Sequence, residues 1–329
     1  MRKVLIITGP AGDAQGWGDL SVSESVCRAI KDKGCDAEIA FVTTMEEFYK
    51  AIEARTFDII WSALYHISKK TDTIGMSEGD HTWLADILDA RGIPYIGPNA
   101  ATMKALIHKT ATHRILKEHN VSVPYHYQID KRDALPDLAY PAFVKPSYES
   151  RSVGISDDSV VHSEKELARQ VAFIHRTYDQ PALVEEYLPG REYTVLMLGN
   201  GKHQEFLAGS VEVDQSLFGK YPILRSDLRG VGATKIRPCN HHAEEAVRLT
   251  MAAMDALQCL DHVRTDMRLD RDGRLKIIEV NGIPGLKPMK SWSPQMFTLH
   301  HPSPEGPMED YRLLIHHIVT SALARYGLD

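Results

Sequence analysis

Two short segments near the C terminus alternate polar and apolar residues, and they constrain the fold more than any other part of the chain. Residues 264–266 read Arg-Thr-Asp and residues 279–281 read Glu-Val-Asn, with the turn sequence Asp-Arg-Asp-Gly between them at 270–273. Such a pattern predicts a β-hairpin that places Asp266, Glu279 and Asn281 side by side. Hard oxygen ligands grouped in this way suit Mg²⁺ bound together with nucleotide phosphates.

A second candidate phosphate-binding segment lies at residues 140–154. Its first part predicts a strand that ends at Lys145, and a loop containing Ser147, Ser152 and Gly154 follows. A lysine at a strand end can hold phosphate oxygens while the N–H groups of the next loop close over them. The alternative, for this lysine taken singly, is a solvated surface side chain.

The first hundred residues predict a small α/β domain. The apolar run at residues 4–7 is typical of a strand buried on both faces, and later strands, the fourth at 93–97, alternate with helices. This order predicts a doubly wound parallel sheet, whose ligands would lie near the loops 9–20 and 65–80. Asp19 ends the first loop and is either a helix N-cap or a contact to a substrate amine.

Residues 183–190 predict a strand that runs into a turn, and another strand begins near Glu192. The free backbone edge at such a crossing could pair with adenine. Glu185 and Glu192 could accept hydrogen bonds from the adenine amine or the ribose hydroxyls. An exposed acidic strand edge is the alternative, and it is the simpler interpretation for Glu186.

Composition excludes several classes of protein. The chain has 329 residues and a net charge of -6, which argues against a nucleic-acid-binding protein. The four cysteines lack CxxC spacing, so neither a zinc ribbon nor a disulfide framework is indicated. No apolar stretch approaches the roughly 20 residues that cross a membrane, and the run at 4–7 is too short for a signal sequence. We therefore expect a cytoplasmic protein with reduced thiols and no membrane partner.

The order and spacing of these motifs resemble the ATP-grasp superfamily and, within it, the D-alanine–D-alanine ligases. The motifs that carry the resemblance are Lys109 and residues 144–147, 152–154, 184–186, 192–195, 219–221, 264–266 and 279–285. The resemblance covers nearly the whole chain. It implies an α/β pre-ATP-grasp domain at 1–100, a central α+β subdomain at 101–187 and a C-terminal α+β subdomain at 188–329, the last two clasping ATP.

The resemblance also implies roles for individual residues. Lys109, Lys145 and Ser152 would bind the ATP phosphates, Glu185, Glu186 and Leu188 the adenine, and Glu192 the ribose. Asp266, Glu279 and Asn281 would coordinate two Mg²⁺ ions, with Mn²⁺ as the alternative metal. Arg264 would bind the transferred phosphoryl group and the reacting carboxylate, and the Gly285 N–H would stabilise the tetrahedral intermediate. Ser291 would hold the second substrate's carboxylate. Lys220 and Tyr221 would lie on a mobile closing loop.

The implied reaction joins two small amino acids. A carboxylate attacks the γ-phosphate of ATP to form an acyl phosphate, and an amine then displaces phosphate to form an amide. Members of the family are commonly dimers through the first domain, so a homodimer is the implied candidate assembly.

The departures from the family pattern concern the substrates. Asp19 stands where a glutamate usually binds the first amino group, and Arg151 stands where a serine is usual. Segment 222–230 also carries Arg225 and Arg229, which the family pattern lacks. We therefore expect a first substrate other than plain D-alanine, with an extra acidic group facing Arg151. The alternative is that Arg151 faces solvent or the ATP phosphates.

Four other functions stay open from the sequence. They are a genuine D-alanine–D-alanine ligase of cell-wall synthesis, an ATP-grasp ligase of specialised metabolism, a small-molecule kinase, and an ATP-binding regulator without turnover. The intact set of Asp266, Glu279 and Asn281 argues against the regulator, because a degenerate binder would be expected to lose metal ligands first. A ligase forms an amide, whereas a kinase leaves a stable phosphate ester.

Overall fold

The computed structural model describes residues 1–68, 70–74, 82–229 and 231–329. The strands are β1 (Lys3–Thr8), β2 (Asp36–Phe41), β3 (Ile59–Ser62), β4 (His126–Ile129), β5 (Ala142–Pro146), β6 (Val160–Val161), β7 (Ala182–Glu186), β8 (Glu192–Leu198), β9 (Glu205–Val213), β10 (Thr234–Pro238), β11 (His262–Leu269) and β12 (Leu275–Asn281). The helices are α1 (Gly12–Gln15), α2 (Leu20–Asp32), α3 (Met45–Glu53), α4 (Leu84–Arg91), α5 (Ala100–Ile107), α6 (Lys109–Glu118), α7 (Glu164–Tyr178), α8 (Ala243–Leu257), α9 (Trp292–His300) and α10 (Pro307–Arg325).

The N-terminal sheet is parallel and has the order β2-β1-β3. Successive residues of β1 point to opposite faces, so Val4 and Ile6 pack in one apolar cluster with residues of α2 and α10. Leu5 and Ile7 pack in another cluster with residues of α3 and α4. Both faces are therefore covered, which explains the unbroken apolar run and confirms the predicted doubly wound sheet.

The predicted fourth strand at 93–97 is reduced to one parallel bridge between Ile60 and Tyr95. Pro94 has no N–H to donate, and the chain turns at Gly97 with a φ of +117°. Pairing therefore ends after two hydrogen bonds. The Ile60 N–H donates to the Pro94 carbonyl, and the Ile96 N–H donates to the Ile60 carbonyl. Of the predicted ligand loop 65–80, residues 69 and 75–80 lie outside the described residues.

The central sheet is antiparallel, with the order β4-β7-β5-β6. Helix α7 covers one face, where its apolar stripe packs on Val144 and Val184. The β5–β7 register pairs Phe143 with Glu185 and Lys145 with Leu183. In this register Lys145 and Glu185 are diagonal neighbours on the same face of the sheet, so their side chains can meet.

The C-terminal sheet is also antiparallel, with the order β10-β9-β8-β11-β12. Strands β11 and β12 form the predicted hairpin, in which Asp266 lies opposite Glu279 and Arg264 opposite Asn281. The three sheets lie within the three predicted segments 1–100, 101–187 and 188–329, although helix α10 packs against α2 of the first segment. None of the helices in the described ranges is both long and apolar enough to cross a bilayer.

Candidate active site

Two adjoining cavities meet at the β11–β12 hairpin. The first lies between the central and C-terminal sheets, and the second lies between the N-terminal loop and the segment after β12. Leu224, Arg229 and Trp292 line both cavities. Both are open to solvent, and we name them the first and second cavity below.

All seven predicted ATP-binding residues line the first cavity: Lys109, Lys145, Ser152, Glu185, Glu186, Leu188 and Glu192. Lys145 is buried, and its Nζ lies 2.7 Å from the Glu185 carboxylate. The geometry therefore excludes a solvated surface lysine. Lys109 is also buried, where it donates to the Glu149 carbonyl and lies 3.5 Å from Glu279. Burial lowers the pKa of Lys109 from its usual value.

The acidic side chains at the β7 end differ in their surroundings. Glu185 is buried beside Lys145, with a ring nitrogen of His113 at 3.4 Å. Glu186 is half-buried and accepts two hydrogen bonds of 2.7 Å from Lys276 Nζ. Burial raises the pKa of Glu192 to about 7, although nearby Arg268 opposes the shift. Glu186 therefore forms an ion pair with Lys276 at the wall of the first cavity and does not lie on an exposed acidic strand edge.

The predicted metal ligands converge as the hairpin register requires. Asp266 accepts hydrogen bonds from Thr194 Oγ1 at 2.8 Å and Asn281 Nδ2 at 3.0 Å. It also accepts two from the Arg264 guanidinium, at 2.8 Å and 2.6 Å. Glu279 lies opposite it on β12. Two carboxylates and an amide oxygen fit Mg²⁺, provided that Arg264 releases Asp266.

Protein ligands alone would not complete such a metal site. Within the described ranges, no three His, Cys, Asp or Glu side chains form a group that could hold a metal ion. Phosphate oxygens, together with Asn281, would therefore have to supply the remaining coordination, as is usual for Mg²⁺ bound with a nucleotide.

The second cavity contains the predicted substrate residues Asp19, Arg151 and Ser291, together with Arg264 and Gly285. Asp19 is the N-cap of α2, and its carboxylate accepts from the Val22 N–H at 3.3 Å. A hydrogen bond from Ser21 lowers the pKa of Asp19. The structure therefore has Asp19 in the capping role that the sequence allowed, and a contact to a substrate amine stays a prediction.

Arg151 faces the N-terminal loop. Its guanidinium pairs with the Asp13 carboxylate and also donates to the Asp13 carbonyl, while Ser150 donates to the Ala14 carbonyl at 3.0 Å. These contacts join the loop after β5 to α1. Arg151 lines the second cavity and is absent from the lining of the first, and Asp13 already compensates its charge.

Gly285 and Ser291 lie against each other in the second cavity. A Cβ at position 285 would come within 2.8 Å of Ser291 Oγ, so any side chain here would force the Ser291 hydroxyl to move. Ser291 Oγ accepts from the Lys287 N–H at 3.0 Å, which leaves its own proton available to a ligand. The Trp292 ring, 4.9 Å from the Arg264 guanidinium carbon, separates this region from the first cavity.

Lys220 and Tyr221 line neither cavity. The Lys220 N–H donates to Asp157 at 2.8 Å, and the Tyr221 hydroxyl lies 2.7 Å from His162 Nε2. Residues 219–229, which we call the covering segment, instead place Leu224 and Arg229 at both cavities. The roles predicted for Lys220 and Tyr221 stay predictions, and the structure does not bring these residues to the others.

Sequence reasoning missed two residues that shape the second cavity. Buried Gln15 accepts hydrogen bonds from the N–H groups of Tyr65 and His66 at 2.9 Å and 3.1 Å. The Tyr65 hydroxyl accepts from the Ile283 N–H at 3.1 Å. These contacts join α1, the end of β3 and the loop after β12. No local pattern signals them, because each joins segments that are far apart in the chain.

The fold and this site together define an ATP-grasp ligase. Residues 116–301 match the family model described as the C-terminus of D-ala D-ala ligase, and the chain belongs to this family. The match spans more than half of the chain and includes the predicted ATP-binding residues from Lys145 onward, the predicted metal ligands on the hairpin and Ser291. The predicted superfamily and enzyme class are confirmed.

Individual relatives agree with this assignment. An uncharacterized protein, y4sG, of Sinorhizobium fredii is 28% identical over 95% of this chain and 90% of its own length. A D-alanine–D-alanine ligase of Thermotoga maritima is 27% identical over 87% of this chain and 88% of its own.

Solved structures share the complete fold. The D-alanine–D-alanine ligase of Bacillus anthracis complexed with ATP superposes with a TM-score of 0.70 at 20% identity, with 99% of each chain covered. The VanG D-Ala:D-Ser ligase of Enterococcus faecalis superposes with a TM-score of 0.71 at 18% identity, covering 98% of this chain and 99% of its own. At these identities the likeness confirms the predicted ATP-grasp fold.

Proposed function

We propose that the protein is an ATP-dependent carboxylate–amine ligase that joins two amino acids through an acyl phosphate. One observation supports this most directly: the hairpin lies between a cavity lined by the predicted ATP-binding residues and a cavity lined by the predicted substrate residues. Asp266 and Glu279 line the first, whereas Arg264 and Asn281 line the second. Phosphoryl transfer between a nucleotide and a carboxylate would take place at this boundary.

The described residues suggest how the first cavity would bind ATP. Adenine would lie near Glu185, Glu186 and Leu188 at the β7 end, the ribose near Glu192, and the phosphates near Lys109 and Lys145. Asp266, Glu279 and Asn281 would hold Mg²⁺, which would neutralise the charge of the phosphates. Ser152, on the loop after β5, would close over the phosphates.

The second cavity would bind both amino acids. Arg264 would orient the carboxylate of the first substrate towards the γ-phosphate. The Gly285 N–H would donate to the oxyanion that forms when the amine attacks the acyl phosphate. Ser291 would donate to the carboxylate of the second substrate. The surrounding segments would exclude water, which would otherwise hydrolyse the acyl phosphate.

We further propose that the first substrate differs from plain D-alanine. Two features support this. Asp19 is shorter than the usual glutamate and already caps α2, and Arg151 with Asp13 replaces a neutral serine at the cavity wall. The measurement that tests both proposals is phosphate release from ATP and Mg²⁺ with D- and L-amino acids, singly and in pairs, combined with mass spectrometry of the products.

Each outcome of this experiment is distinct. An amide product from a pair other than two D-alanines supports both proposals. Activity restricted to D-alanine, yielding its dipeptide, would make the protein a cell-wall ligase and contradict the second proposal. A stable phosphorylated product would indicate a kinase, and nucleotide binding without turnover on the whole panel would indicate a regulator.

A further inference from the structure

Over the described ranges, Arg229 lacks the ion-pairing acidic side chain that three other cations at the two cavities have. Lys145 pairs with Glu185, Lys109 lies near Glu279, and Arg264 pairs with Asp266. Arg268 satisfies its guanidinium with two hydrogen bonds to the Gly190 carbonyl. Among the described residues, no acidic side chain forms a salt bridge with Arg229.

The Arg229 side chain is also short of hydrogen-bond partners. Its Nη2 donates to Ser152 Oγ at 3.0 Å, whereas its Nε is buried with no hydrogen-bond partner in the described part of the chain. Burial lowers the pKa of Arg229 to about 10, which still leaves the group charged at neutral pH. A half-buried guanidinium with a buried, unpaired N–H is expected to bind an oxyanion.

The position of Arg229 indicates which oxyanion its guanidinium would bind. The side chain lines both the first and the second cavity, and Glu279, Arg264 and Asp266 are close enough to influence its ionisation. Its partner Ser152 belongs to the loop that would cover the phosphates. Arg229 is therefore located where the end of the ATP triphosphate would meet the carboxylate of the first substrate.

We propose that Arg229 binds the transferring phosphoryl group and is the catalytic cation of the segment that covers the site. This inference rests on the proposed ligase function. A carboxylate oxygen forms a bond to the γ-phosphorus as the bond from that phosphorus to the β–γ bridging oxygen breaks, and the electron pair leaves on ADP. Arg229 donates N–H hydrogen bonds to the phosphoryl oxygens and neutralises their charge during this step.

The surroundings of Lys220 support assigning this role to Arg229. Lys220 is exposed, its N–H is bound to Asp157, and its Nζ lies 5.1 Å from the centre of the Tyr221 ring. Tyr221 lines neither cavity itself; it contacts His162 and the ring of Tyr187, which belongs to the wall of the first cavity. The covering segment thus presents Arg229 to the reacting groups and leaves Lys220 on the outer surface.

Kinetics of matched variants test the proposal. We expect Arg229→Gln to lower kcat by at least about 100-fold, the effect of removing a preorganised transition-state donor, and Arg229→Lys to recover part of the loss. Arg225→Gln is the control, because Arg225 lies on the same segment but pairs with Asp227. It should keep the wild-type rate. Near-wild-type kcat in Arg229→Gln, or an equal or larger loss in Lys220→Ala, would overturn the proposal.

Nucleotide binding gives a readout that does not depend on turnover. With Mg²⁺ present, calorimetry should show Arg229→Gln binding a β,γ-imido analogue of ATP at least about tenfold more weakly, since one charged hydrogen bond to the γ-phosphate is lost. ADP affinity should not change, which also shows that the variant is folded. Equal effects on both nucleotides, or an effect on neither, would contradict the contact. Failure of the wild-type enzyme on the substrate panel would instead refute the ligase proposal.

Discussion

The Arg264 guanidinium binds the Asp266 carboxylate through two hydrogen bonds, 2.8 Å from Nε and 2.6 Å from Nη2. The two residues point to the same face of β11, and both are buried. Because the guanidinium covers both carboxylate oxygens, a cation can bind Asp266 fully only when Arg264 moves. This pair therefore couples the candidate metal site in the first cavity to the candidate carboxylate site in the second.

The coupling predicts opposite effects of Arg264→Gln on metal binding and on turnover. Without nucleotide, the variant should bind Mn²⁺ severalfold more tightly, because the competing positive charge is gone. Its turnover should nevertheless fall sharply, because the reacting carboxylate loses its partner. Electron paramagnetic resonance titration measures the first effect and phosphate release the second. Arg274→Gln, at an exposed position on the same hairpin, is the control, and weaker Mn²⁺ binding by Arg264→Gln would contradict the competition.

Asp266→Asn should abolish turnover while leaving the fold intact. The change preserves the size of the side chain but removes the charge that a metal ion and Arg264 both require. We expect kcat to fall by at least about a thousandfold, the scale on which a metal-assisted charge stabilisation acts. Asp270→Asn is a matched control, because Asp270 accepts from the Asp272 and Arg274 N–H groups in the hairpin turn. Full activity of Asp266→Asn would refute the metal-site assignment.

Lys145→Met should destabilise the protein much more than Lys276→Met. The side chains of Lys145 and Glu185 are 8% and 3% exposed, against 15% and 27% for Lys276 and Glu186. Removing one partner of a buried pair leaves an uncompensated charge and costs about 3–5 kcal/mol, whereas the more exposed pair contributes roughly 1 kcal/mol or less. Denaturant unfolding measures both values. Adding Glu185→Gln to Lys145→Met should recover part of the loss, and equal losses in the two single variants would contradict the prediction.

Glu192→Gln should change the dependence of stability on pH. The pKa of Glu192 is raised from 4.5 to about 7 in the folded protein, so the native state holds this proton more tightly than the unfolded state. The stability contributed by Glu192 is therefore complete below about pH 4.5 and is lost as the pH rises to 7. Relative to wild type, the glutamine variant should gain on the order of 1–3 kcal/mol between pH 5 and pH 8. A constant difference across this range would exclude the raised pKa.

The β11–β12 hairpin and the buried β1 could both be predicted because their signals are local. Alternation with a period of two and an Asp-Gly turn predict the hairpin, and the strand pairing confirms that Asp266, Glu279 and Asn281 lie close together on it. The pairing of Asp266 with Glu279 itself also depends on a register shift between Asp266 and Met267, which neither signal indicates. The same local argument failed for residues 93–97. There, an apolar run is interrupted by Pro94, and the backbone forms one bridge instead of a strand.

The sequence by itself determined the buried first strand, the strand end that delivers Lys145 and the hairpin that carries the predicted metal ligands. Each of these depends on residues that are close together in the chain. Only the tertiary structure decided that Arg151 pairs with Asp13 and that Arg229, instead of Lys220, lies at the junction of the two cavities. A charged side chain binds whichever partner the fold brings near it. Asp13 and Arg151, and likewise Ser152 and Arg229, come together only when segments far apart in the chain pack.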